Sequence, residues 1–77
     1  MTESATATDR IGPLVNGQRR PLPPGTTVGG LLRALGLDPR LVVVEINRAI
    51  VRDRAALEAR VLSTGDEVEI VHFVGGG

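Results

Sequence analysis

The residues best placed to do chemistry are the last four, Val74-Gly75-Gly76-Gly77, where the sequence stops on bare glycines. Glycine has no β-carbon and visits both halves of φ/ψ space, so such a segment can thread a channel too narrow for any side chain. Fully extended, four residues reach roughly 13 to 14 Å. An α-carboxyl group titrates at about 3.3 to 3.7, so a terminus at Gly77 is an anion at neutral pH and inert to nucleophiles until activated. Gly77 is therefore the candidate reactive residue, and Gly75 and Gly76 are the candidates for threading. A frayed end would read the same way in isolation. The compact pattern that runs directly into the glycines argues for function.

Little else in the chain could be catalytic. Cysteine is absent, which removes disulfides, thiol nucleophiles and cysteine-ligated metal sites. His72 is the only histidine, and a lone imidazole in a strand reads as an ordinary strand residue. Asp66, Glu67 and Glu69 read as a turn residue and a solvated strand face, and Asn47 as a turn former. No catalytic residue and no metal ligand is expected. The formal net charge is zero and the arginines are scattered, which argues against nucleic acid, whose phosphates need clustered cations. No apolar run approaches a membrane span and no signal-peptide core is present, so a cytoplasmic protein is expected.

The elements that must position the tail fit one small domain. At 77 residues, 42% hydrophobic and with a single aromatic, Phe73, the core should be aliphatic and modest in stability. Residues 1–10 are small and polar, and are expected to be a disordered extension. Ile11, Pro13 and Val15 alternate into Asn16-Gly17, a two-residue hairpin turn, with a return strand over 18–22. Pro13 cannot donate to a ladder, so the strand starts after it or bulges around it. Thr26-Thr27 offers a cap to a helix whose Val28, Leu31, Leu32 and Leu35 share one face. Gly36 with Leu37 behind it reads as its C-terminal cap. Gly29-Gly30 in its first turn implies close packing there.

Leu41 to Ile46 reads as a sheet strand, with Val42, Val44 and Ile46 on one face and Val43 and Glu45 on the other. Asn47-Arg48 turns the chain into a short partner, 49–51. Asp53 should cap a brief helix over 54–60, with Leu57 and Val61 pointing inward. Thr64-Gly65-Asp66 reads as a turn with glycine at a positive φ. Glu67 to Phe73 alternates as the last strand. The expected fold is α+β, a mixed sheet of four to five strands on one main helix with a short second helix, the ubiquitin-like β-grasp arrangement over residues 11–73, followed by the flexible glycine tail 74–77.

Val15-Asn16-Gly17, Thr27-Val28 with Leu31-Leu32, Val42 to Asn47, Gly65-Asp66 and the terminal Val74-Gly75-Gly76-Gly77 together resemble the ThiS-type sulfur carriers of thiamine thiazole biosynthesis. The resemblance runs from Ile11 to the end. It departs from the family pattern in the N-terminal extension, at Pro13, at Gly29-Gly30 and at Leu57. It implies a protein cosubstrate rather than an enzyme, with no bound cofactor. An E1-like adenylyltransferase would use MgATP to adenylate Gly77. Sulfur from a cysteine desulfurase or rhodanese-like donor would then make a thiocarboxylate, which a thiazole synthase consumes. The small subunit of molybdopterin synthase and a ubiquitin-like docking or conjugation module are the alternatives. Val43, Val71, Phe73 and Val74, with Leu14 beside them, form the expected partner-docking patch on the sheet face away from the helix.

Overall fold

The computed structural model describes residues 10–73; the expected extension, apart from Arg10, and the tail 74–77 with Val74, Gly75, Gly76 and Gly77 lie outside the described residues. Strands β1 (Leu14–Val15) and β2 (Gln18–Arg19) form the first hairpin, turning on Asn16 and Gly17 at φ 50° and 83°. Both positions need the left-handed region, which asparagine and glycine tolerate. The strand does begin after Pro13, whose ring is fully buried. The return strand is shorter than the expected 18–22: the regular ladder covers only Gln18 and Arg19, followed by a single bond from the Arg20 N–H to the Pro13 carbonyl at 3.0 Å and an isolated bridge where Ile11 and Leu22 exchange bonds of 2.8 Å. Pro13 lacks the N–H that would return the Arg20 bond, so the ladder is incomplete there.

Helix α1 (Val28–Ala34) starts at Thr27, whose hydroxyl accepts from the Gly30 N–H at 3.0 Å. Val28, Leu31 and Leu32 are completely buried, because i, i+3 and i+4 share a face. Gly36 at φ 73° ends the helix. The Gly36 N–H donates to the Arg33 carbonyl and that of Leu37 to Leu32, the paired bonds of a Schellman cap. Gly29 is tight: a β-carbon there would meet the Glu58 carboxylate, which is itself paired with Arg33.

A 3₁₀ turn (Pro39–Leu41) leads into β3 (Val42–Ile46), which pairs with β4 (Ala49–Ile50) across Asn47 and Arg48, both at positive φ. Helix α2 (Arg54–Ala59) is capped by Asp53, whose Oδ1 accepts from the Ala55 N–H at 3.0 Å. Strand β5 (Glu67–His72) closes the sheet in the order β2-β1-β5-β3-β4, parallel to β1 and antiparallel to β3. The last strand in sequence is thus the middle strand in space. This is the mixed five-stranded sheet, main helix and short second helix of a β-grasp. The core is aliphatic, as expected, built from Val15, Val28, Leu31, Leu32, Val44, Leu57 and Val68 among others.

Two further expectations are corrected. Val61 does not point inward; it is 50% exposed, and Leu62 is buried in its place. The helical period ends at Ala59, and Arg60 at φ −79°, ψ 110° is already extended, so two-residue alternation decides which side chain turns in. That extended stretch docks on α1: Val28 N–H donates to the Arg60 carbonyl at 3.0 Å and Leu62 N–H to Thr26 at 2.9 Å. Gly65 does not adopt a positive φ; Gly17, Gly25 and Gly36 do. The turn closes instead through the Asp66 N–H to the Ser63 carbonyl at 3.0 Å.

Candidate functional site

Of the expected site residues, the reactive and threading glycines Gly75, Gly76 and Gly77, together with Val74, fall outside the described residues. The structure shows how the chain is held up to Phe73. All of β3 pairs with β5, Val42 facing His72 through Ile46 facing Val68. The Phe73 N–H extends the ladder, donating to the Leu41 carbonyl at 2.9 Å. On its other side β5 pairs with β1 only at Glu67 and Val68.

There Asn16 takes over from the missing strand. Its Oδ1 accepts from the Ile70 N–H at 2.8 Å and its Nδ2 faces the Ile70 carbonyl at 3.4 Å. Asn47 grips the beginning of β5 in the same way, accepting from the Glu67 N–H at 2.9 Å. Both asparagines sit at φ near 50°. Their left-handed backbones mark them in sequence as turn formers, and nothing in sequence alone shows that both amides reach the last strand.

The other hub that sequence reading missed is Asp66. It is the turn residue expected, but it is buried, 8% exposed. Its Oδ1 accepts from Asn47 at 3.0 Å and Arg60 at 3.2 Å, and its Oδ2 from the Ser63 N–H at 2.8 Å. Burial opposes its charge, yet the Asn47 amide, the Ser63 N–H and the Arg60 guanidinium outweigh it and hold the carboxyl below its ordinary value. A depressed folded-state pKa stabilises the fold above the unfolded value near 3.9 and is lost as pH falls through the folded value. Asp66→Asn is expected to lower stability at pH 7 by about 1 to 3 kcal/mol and to flatten the loss of stability below about pH 4. Urea titrations of both proteins from pH 7 to pH 3 measure this, and parallel acid limbs would refute it.

On the sheet face away from α1, cross-strand neighbours share a side. Val43 lies opposite Val71 and Phe73 opposite Leu41. Val71, Phe73 and Leu41 are 54%, 53% and 49% exposed, and Val43 is half-buried. The structure therefore brings together the described members of the expected patch, and adds Leu41. Leu14 is half-buried and stands two strands away from Val43, across β5. The opposite end of that face is polar, with Glu45, Glu67 and Glu69 near Arg48. His72 is exposed at the end of β5. Among the described residues no group of three or more His, Asp or Glu side chains could hold a metal ion, and no helix is long and apolar enough to cross a membrane.

A model of the ThiS family matches residues 14–77. The chain belongs to the ThiS family. The matched span covers the sheet, both helices and the glycine end. The fold agrees: this ThiS-family chain superposes on the crystal structure of the thiamine biosynthesis protein ThiS from Geobacter metallireducens with a TM-score of 0.69 and 33% identity, covering 87% of this chain and 100% of that one. It is 41% identical over 51 residues to the sulfur carrier protein ThiS of Bacillus subtilis, spanning 66% of this chain and 76% of that protein. It is also 46% identical over 63 residues to a thiazole synthase of Magnetococcus marinus and 42% identical over 64 residues to one of Paramagnetospirillum magneticum. The match covers 82% and 83% of this chain, but the chain spans only 19% of the length of each of those two relatives.

Proposed function

We propose that this chain is a sulfur carrier for formation of the thiazole ring of thiamine, acting as a protein cosubstrate with Gly77 as its working end. The observation that supports this best is the anchoring of β5. The strand that leads to the glycines is held in mid-sheet by β3, β1 and the Asn16 amide, so Phe73, the last described residue, is a fixed base from which the sequence runs on into glycines. The names of the relatives, sulfur carrier and thiazole synthase, point to the same pathway.

In the proposed cycle, a Gly77 carboxylate oxygen attacks the α-phosphorus of MgATP bound to an E1-like adenylyltransferase, and pyrophosphate leaves. A hydrosulfide equivalent, derived from a cysteine desulfurase or rhodanese-like donor, attacks the acyl carbon and expels AMP. The product is a thiocarboxylate, whose sulfur passes to thiazole synthase. Gly75 and Gly76 keep the path clear, since both steps need reacting atoms held at about 3 to 3.5 Å. The two long relatives named thiazole synthase carry a segment like this chain within a single polypeptide, which favours that enzyme as the consuming partner.

The test is intact mass spectrometry after incubation with MgATP, the cell's adenylating enzyme and sulfide. Exchange of one oxygen for sulfur on the peptide ending in Gly77 is expected; an unchanged mass with a competent enzyme would favour a docking module. Co-purification with thiazole synthase rather than the large subunit of molybdopterin synthase separates the two sulfur-carrier pathways. Isopeptide adducts in the cell would instead mark a conjugated modifier.

For docking, the proposed surface is Val43, Val71 and Phe73, continuing to Val74. Phe73→Ala is expected to weaken binding to the adenylating enzyme at least about tenfold, ~1.4 kcal/mol, while the thermal unfolding curve stays close to that of the parent. Calorimetric titration showing equal affinity would remove Phe73 from the interface.

A further inference from the structure

A second feature, which shares Val43 and Phe73 with the docking patch, lies at the edge of β3 away from β5. The bonds Phe73 N–H to Leu41 and Asn47 N–H to Glu67 turn the backbone groups of odd-numbered β3 residues toward β5, so those of Val42, Val44 and Ile46 face the β4 side. Strand β4 covers only Glu45 and Ile46. One further bond, from the Val51 N–H to the Val44 carbonyl at 2.9 Å, ends the pairing. The Val44 N–H and the Val42 carbonyl have no backbone partner among the described residues.

This open edge forms one wall of a cleft of about 310 Å³. Its apolar lining includes Val43, Ile50 and Phe73, and its rim carries Arg40, Arg52 and Arg54. Arg40 is paired with Asp38 at 2.8 Å. Arg52 and Arg54 make no ion pair among the described residues, and Asp53 between them is turned to the Ala55 N–H. Asp38, already hydrogen-bonded to Arg40, also feels the charge of Arg54; unpaired strand groups, apolar side-chain sites and this excess of arginine over carboxylate at one place are what an added strand with carboxylates would satisfy.

We infer that the β3 edge at Val42–Val44 takes an extended, acidic segment of a protein partner as an added strand, with its carboxylates toward Arg52 and Arg54. The inference does not rest on the sulfur-carrier reading, because it is argued only from the β3 edge and described residues that line the cleft. About three open residues at roughly 3.3 Å each accommodate the centre of a short peptide.

The test is a titration of the full chain, isotopically labelled for amide NMR, with a synthetic peptide about eight residues long that alternates glutamate and valine, capped at both ends. Saturable shifts at Val44 and Ile50 are expected, abolished when glutamate is replaced by lysine and when the central valine of the peptide is N-methylated. The exposed double variant Arg52→Glu, Arg54→Glu should bind at least about tenfold more weakly, and the parent complex should weaken as salt shortens the Debye length from about 10 to 3 Å between 0.1 and 1 M. Equal binding of the lysine peptide, unchanged affinity of the double variant, shifts confined to other faces, or an edge occupied by a second copy of the chain in sedimentation would overturn the inference.

Discussion

Gly76→Ala is expected to slow thiocarboxylate formation about a hundredfold or more while leaving stability unchanged. One added β-carbon restricts φ and ψ and widens the segment that must present Gly77 to the α-phosphate of ATP. A displacement of about 1 Å at a reacting centre can cost ~100-fold in rate. The position lies beyond Phe73, the last described residue, and a glycine carries no side chain whose contacts a core could lose. Single-turnover adenylation followed by mass, alongside a urea denaturation curve, separates the two effects. Parent-like rates would refute the threading role of the glycines; a shifted denaturation midpoint would place Gly76 in the folded unit.

Leu32→Ala is expected to cost about 2 to 5 kcal/mol. Leu32 is fully buried on the face of α1 turned to the sheet, beside the equally buried Leu31 and Val28, and its carbonyl receives the Leu37 N–H in the helix-ending cap. Removing its branched end leaves a cavity that a small core cannot readily close. Small domains hold only about 5 kcal/mol or somewhat more in total, so the variant should be partly unfolded at 37 °C. Circular dichroism during urea titration checks this, and a loss below 1 kcal/mol would mean that α1 resettles on the sheet.

These two sites were legible in the sequence for different reasons. Leu32 belongs to a repeat of apolar residues at helical spacing, and the glycines are conspicuous by composition. The first hairpin was legible from Asn16-Gly17, the α1 cap from Thr27, and the stop at Gly36-Leu37 from the chemistry of left-handed caps. Val61 was misread because a three-to-four-residue period was continued past the point where Arg60 becomes extended; for one apolar residue either side of that switch, period alone does not choose. Gly65 was misread because a turn can be closed by the Asp66 N–H without a positive φ.

Local sequence by itself determined the elements, the alternation of faces and the glycine end, because propensity, capping and periodicity act over a few residues. Only the tertiary structure decided what converges on β5. Asn16 lies 54 positions from Ile70 and Asn47 lies 20 from Glu67, so their grip on the last strand exists only once that strand is inserted between β1 and β3. The same insertion buries Asp66 among Asn47, Ser63 and Arg60, and the short reach of β4 leaves Val42–Val44 open beside Arg52 and Arg54. Hydrogen bonds and charges act at ångström range, and it is the fold that sets which distant residues come within it.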